Sequence, residues 1–126
     1  MLRVRVLVVE EDITTLRSMS QNLFSVASRG RICSAAIRDK EGALYFLQEM
    51  GPYDIVIVGL SNHNDLATVV AEARSRGSFV VVIGEKSSEG FARGAGASAF
   101  LDKLRHPSID KLMDEAFSQF SFGECD

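Results

Sequence analysis

The chain has 126 residues, 46% of them apolar and 25% charged, with a formal net charge of −3. This is the composition of one ordinary folded domain, long enough to build a core. The 14 basic and 17 acidic residues are well mixed, which argues against direct nucleic-acid contact and an anionic membrane surface as partner. No apolar run approaches the ~20 residues that a membrane helix needs.

The opening, Met1 to Arg5, runs directly into strand-like sequence, so no signal peptide is expected. Val4, Val6, Leu7, Val8 and Val9 predict a buried first strand that ends in the acidic run Glu10-Glu11-Asp12. Asp12 is placed to cap a helix. In that helix Ile13, Leu16, Met19, Leu23, Phe24 and Ala27 keep an apolar stripe up to a stop at Gly30. Arg31 to Ile37 predicts a second, weaker strand, whose small residues Cys33, Ser34, Ala35 and Ala36 suit a sheet edge. Asp39 can cap the second helix, with Ala43, Leu44, Leu47 and Met50 facing a core. Gly51-Pro52 ends it.

Tyr53 to Leu60 contains four successive β-branched residues, Ile55 to Val58, the mark of a central strand covered on both faces. It runs out at Gly59 into a polar loop, Ser61-Asn62-His63-Asn64. Asn64 or Asp65 then caps a third helix carrying Leu66, Val69, Val70 and Ala73, which stops at Gly77. Phe79 to Ile83 is a fourth buried strand, closing on Gly84. Ser87 to Ala95 holds a short fourth helix, weakened by its glycines. Whether Phe91 there and Phe100 further on are core or surface stays open. Ala99-Phe100-Leu101 is a fifth strand. Pro107 and Ser108 introduce a fifth amphipathic helix with Ile109, Leu112, Met113, Ala116, Phe117 and Phe120, and 121–126 form a tail. The cysteines, Cys33 and Cys125, have no metal-ligand spacing and read as free thiols of a cytoplasmic protein.

Strict β-α alternation with buried strands predicts a parallel sheet between helix layers, joined by right-handed crossovers. Five strands suit the doubly wound order 2-1-3-4-5, with the first and fifth helices sharing a face. The switch point then lies between strands 1 and 3, where Glu10, Glu11 and Gly59 emerge. A phosphoryl or metal site there needs converging carboxylates to hold Mg²⁺, one of them a nucleophile, and a lysine to balance the charge.

The acidic strand end Val6 to Asp12, the strand Asp54 to Leu60 and the stretch Gly96-Ala97-Ser98-Ala99-Phe100-Leu101-Asp102-Lys103 resemble, in order and spacing, the receiver domain of bacterial response regulators. The resemblance covers nearly the whole chain, 1–120, and implies the flavodoxin-like (βα)5 fold. It also implies roles. Gly59 stands where the family has its phospho-accepting Asp, Gly84 where it has a phosphoryl-binding Ser or Thr, and Lys103 at its lysine. Leu104 replaces a common Pro, His63 stands where a Pro is common, and Phe100 keeps the switch aromatic without its hydroxyl.

Glycine cannot form an acyl phosphate. Glu10 and Glu11 lack the third carboxylate of a metal site, so one is expected to pair with Lys103 while the other faces solvent. Asp54 begins its strand, so four further residues at ~3.3 Å each put it at the opposite end of the sheet. His63 reads as a solvated loop residue, and no nucleophile–base pair or cofactor fingerprint is visible, so neither an enzyme nor a bound cofactor or metal is expected. The resulting expectation is a pseudo-receiver that signals through protein contact without phosphorylation. The alternative is a receiver-like sensor of a small molecule or ion in the vacated pocket. The resemblance places the contact surface on the fourth helix, fifth strand and fifth helix, around Phe100, Arg93, Leu104, Arg105 and Lys111. The partner there is another protein, an output domain or a second copy of the chain.

Overall fold

The structure, a computed structural model, describes residues 4–27 and 32–105. Five strands, β1 (Val4–Glu10), β2 (Ile32–Ile37), β3 (Ile55–Gly59), β4 (Phe79–Gly84) and β5 (Ala99–Asp102), form one sheet. All neighbouring pairs are parallel, in the order β2-β1-β3-β4-β5. The helices are α1 (Ile13–Ala27), α2 (Lys40–Tyr45), α3 (His63–Ser75) and α4 (Glu89–Ala95). The predicted order and the edge position of β2 both hold. The predicted stop at Gly30, the fifth helix with Lys111, the tail and Cys125 lie outside the described residues.

Two apolar layers follow from the period of two along each strand. Val6, Val8, Ile55, Ile57, Val81, Ile83 and Leu101 face Leu16 and Met19 of α1. Leu7, Val9, Val56, Val58, Val80 and Val82 face the other way, towards Ala43, Leu47, Leu66, Val69, Val70, Ala73 and Ala92 of the α2, α3 and α4 side. Ile55 to Val58 are fully buried. Covering each such side chain is worth about 1.5–3 kcal/mol, which is why β3 tolerates no polar residue in its run.

Local rules set the helix ends. Asp12 Oδ2 accepts from the Thr15 N–H at 2.9 Å and from its hydroxyl at 2.6 Å. Asp39 Oδ1 caps α2 through the Gly42 N–H at 2.7 Å. The helix then widens into a π-helical turn over Phe46–Met50. α4 ends on Gly96, whose φ of 115° only glycine adopts without strain.

The start of α3 differs from expectation. Neither Asn64 nor Asp65 caps it. Asn62, with extended backbone, accepts from the Asp65 N–H at 3.0 Å. The first helical bond runs from the Leu66 N–H to the Asn62 carbonyl at 2.9 Å. Asparagine is among the best N-caps, and it acts at the first position where one occurs. The loop after β3 is correspondingly shorter, and His63 begins the helix rather than lying in a loop. α4 forms despite its glycines, preceded by a 3-10 turn at Lys86–Ser88.

Candidate functional site

The carboxyl ends of β1, β3, β4 and β5 surround one depression of about 240 Å³. The parallel register builds it. Glu10 is the direct strand partner of Gly59, and Gly84 that of Asp102, the residue before Lys103. All five residues singled out in the sequence, Glu10, Glu11, Gly59, Gly84 and Lys103, line it. So do Asp12, Ser61, Glu85 and Ser88, to which sequence reasoning gave only local roles or none. Asp12, Ser61 and Glu85 follow a strand's last residue by one or two positions, the signal that could have found them.

Glu10 turns its side chain inward and is only 8% exposed. Oε2 accepts from the Asp12 N–H at 3.0 Å. Oε1 occupies the space into which a Cβ on Gly59 would project, so a side chain at position 59 requires this carboxyl, the far end of a flexible side chain, to move aside. Burial pushes the Glu10 carboxyl above its ordinary range. The Asp12 N–H and the charge of Lys103 offset this, while Glu11 and Asp12 reinforce it.

Glu11 points the opposite way and spans the loops. Its Oε2 accepts from the Ser61 hydroxyl at 2.6 Å and Oε1 from the Ser61 N–H at 3.2 Å. Asp12 is held below the usual carboxylate range, first by the Thr15 hydroxyl and then by the Thr15 N–H. The expected pairing of Lys103 with Glu10 or Glu11 does not occur. Among the described residues Lys103 is in none of the four ion pairs within 4 Å. Nearer donors win instead: the Asp12 N–H holds Glu10, the Ser61 hydroxyl and N–H hold Glu11, and Lys103 acts on Glu10 at longer range. Glu11 is exposed, as expected of the second carboxylate, and is also held by Ser61.

This donor set does not suit Mg²⁺, which needs several free oxygens converging at one point. Glu10 and Glu11 diverge, Glu10 Oε2 and both Glu11 oxygens are bonded to backbone or hydroxyl donors, and position 59 supplies none. Among the described residues no group of three His, Cys, Asp or Glu side chains is placed to hold a metal.

Asp54 lies at the opposite end of the sheet, where its Oδ2 accepts from the Arg5 N–H at 2.9 Å. His63 is exposed but not alone. Its ring stacks on Phe91 at 4.2 Å and 15°, and Nε2 lies 3.5 Å from the Ser88 hydroxyl. Phe91, 39% exposed, is thus a surface residue, whereas Phe100 packs half-buried against the α3 layer. Its ring edge faces Gly84, 3.8 Å from where a Cβ there would stand. Arg93 is exposed and donates to Glu89 at 3.0 Å. Leu104 is 81% exposed, and Arg105 is also exposed. Lys111 is outside the described residues. Among those described, no helix is long and apolar enough to cross a membrane.

No family model matches the sequence, and no curated protein matches it either. Solved structures do. The Vibrio cholerae chemotaxis protein CheY4 superposes with a TM-score of 0.73 at 15% identity, over 94% of this chain and 99% of its own. HP1043, an orphan response regulator of H. pylori, gives 0.70 at 20% identity, over 94% and 97%. An atypical orphan response regulator described as having a phosphorylation-independent regulatory mechanism gives 0.71 at 21% identity, also over 94% and 97%. The chain therefore has the receiver fold.

Proposed function

We propose that this chain is a pseudo-receiver, a cytoplasmic signalling domain that works through protein contact without accepting a phosphoryl group. One observation carries the reading: β3 ends in a glycine whose missing side chain is replaced, in space, by the carboxyl group of Glu10. A receiver switches when a bound phosphoryl group favours one of two conformations. Here the acceptor position has no carboxylate, Gly84 has no hydroxyl, and Phe100 has none either. An incoming group finds no differential contact, and a ligand without one shifts no equilibrium. The likeness to an orphan regulator described as phosphorylation-independent supports the same reading.

The domain is accordingly not an enzyme, and its output is a protein surface. That surface is the α4–β5 face with the predicted fifth helix: Phe100, Arg93, Leu104, Arg105 and Lys111. Incubation with acetyl phosphate and Mg²⁺ tests the reading. The intact mass is expected to stay unchanged, with no shift of the melting temperature. A stoichiometric phosphoryl adduct on any Asp or Glu overturns it. An unchanged mass with a melting temperature raised by Mg²⁺ alone moves the reading to an ion sensor.

A further inference from the structure

We infer that Glu10 is the resident occupant of the acceptor position in this pocket: its carboxyl, reaching across from β1, fills the place of a side chain at position 59. The inference rests on the pseudo-receiver reading and gives that reading its physical lock.

Three observations converge. The register makes Glu10 and Gly59 direct partners on adjacent parallel strands, so their side-chain directions coincide. The Glu10 carboxyl already stands where the Cβ of any other residue at 59 would project. The group is also anchored and buried, bonded to the Asp12 N–H at 3.0 Å and 8% exposed. Bringing a carboxylate under cover costs solvation, and the missing Cβ of Gly59 leaves the space that the Glu10 carboxyl takes. The two positions thus form a coupled pair: a side chain at 59 requires Glu10 to move.

The consequence is that the acceptor's space is taken by a carboxyl of the chain itself, held by the Asp12 N–H and given room by Gly59. A side chain at 59 drives this carboxyl out, breaks the Asp12 contact and exposes the group to water.

A double-mutant cycle with Gly59→Ala and Glu10→Ala tests the coupling, since neighbours in contact show non-additive effects. Gly59→Ala in the otherwise unaltered chain should lower the melting temperature by about 2–6 °C, the shift that a lost buried contact produces in a domain of this size. In the Glu10→Ala background the same change should cost less than half as much. In Glu10→Gln, which keeps the shape, it should cost as much as in the unaltered chain. Carboxyl-carbon NMR adds a second readout. The Glu10 carboxyl should titrate above the ordinary glutamate range, and return to it in Gly59→Ala. Equal costs of Gly59→Ala in the presence and absence of Glu10, or an unchanged Glu10 titration in Gly59→Ala, overturn the inference. Should Gly59→Ala alone fail to fold, the double variant decides: a melting temperature close to that of Glu10→Ala supports the coupling, and an unfolded double variant overturns it. A phosphoryl adduct in the acetyl phosphate experiment sinks the pseudo-receiver reading whatever this cycle shows, so the two failures are distinguishable.

Discussion

Glu10 is a single carboxyl group whose setting gives the domain a pH dependence with a definite sign. Burial raises its folded-state pKa above the ordinary glutamate value of about 4.5. In the window between the two values the folded state holds more protons than the unfolded chain, so stability falls as pH rises through it. Asp12 acts in the opposite sense: its lowered pKa adds stability that is lost as pH falls through the folded value. The groups facing Glu10 are Glu11 and Asp12 from its own turn, Glu85 beyond β4 and Lys103 beyond β5, with Arg38 beyond β2 bonded to the Glu11 carbonyl at 3.5 Å. Glu10→Gln removes the Glu10 contribution and leaves the Asp12 one. Thermal melts of both proteins from pH 3 to 8 should therefore show the variant gaining relative to the parent as pH rises above about 4.5. A gap that is flat across this range contradicts the burial of a titrating Glu10.

At the scale of elements, α3 shows how one capping residue shapes the site. By capping at Asn62 the helix leaves Ser61 just before its start, and both donors of Ser61 reach Glu11. The same early start brings His63 over Phe91, joining α3 to α4 through a stacked pair. A helix that began at Asn64 would lack both contacts. Replacing Asn62 by alanine removes the acceptor of the Asp65 N–H, a loss of about 1 kcal/mol. Chemical denaturation should show this as a lower midpoint with an unchanged slope. Since Asp65 also pairs with Lys40 of α2 at 3.5 Å, amide exchange should speed up in the first turn of α3 before it does in α2.

For the whole molecule, the question is which face transmits the signal. Leu104 is a large apolar side chain 81% exposed, at the exit of β5. Phe100 lies half-buried beside Gly84, its ring edge 3.8 Å from where a Cβ there would stand. A ring without a hydroxyl leaves no polar group unsatisfied in that place. On the pseudo-receiver reading the proposed surface keeps one shape. Changing Arg93 and Lys111 together to glutamate should weaken association at least tenfold, whether with a partner or with a second copy. Glu72→Lys on α3 should leave it within about twofold, the ordinary effect of a charge outside a contact. Sedimentation velocity and partner titration read both. The reverse pattern, with Glu72→Lys abolishing association, places the working surface elsewhere. Arg93 already holds Glu89 at 3.0 Å, so melting temperatures of the variants have to be measured alongside.

By itself the sequence determined the five-stranded parallel sheet and its order. The apolar runs Val6–Val9, Ile55–Val58 and Phe79–Ile83 can be satisfied only by burial on two faces, and alternation with helices leaves few ways to arrange them. It also determined that Glu10, Glu11 and Gly59 emerge at one end of the sheet, because each closes or follows a strand of countable length, and the resemblance to receiver domains added Gly84 and Lys103. Side-chain direction was beyond it. Which carboxylate turns inward depends on the pairing of Glu10 with Gly59 across two strands 49 residues apart in the chain, and on which donors compete for each oxygen. The charge pattern suggested a lysine pair. The tertiary structure decided for the Asp12 N–H and for Ser61, since these donors sit within bonding distance once the loops are folded, while Lys103 is left outside ion-pair range of both glutamates.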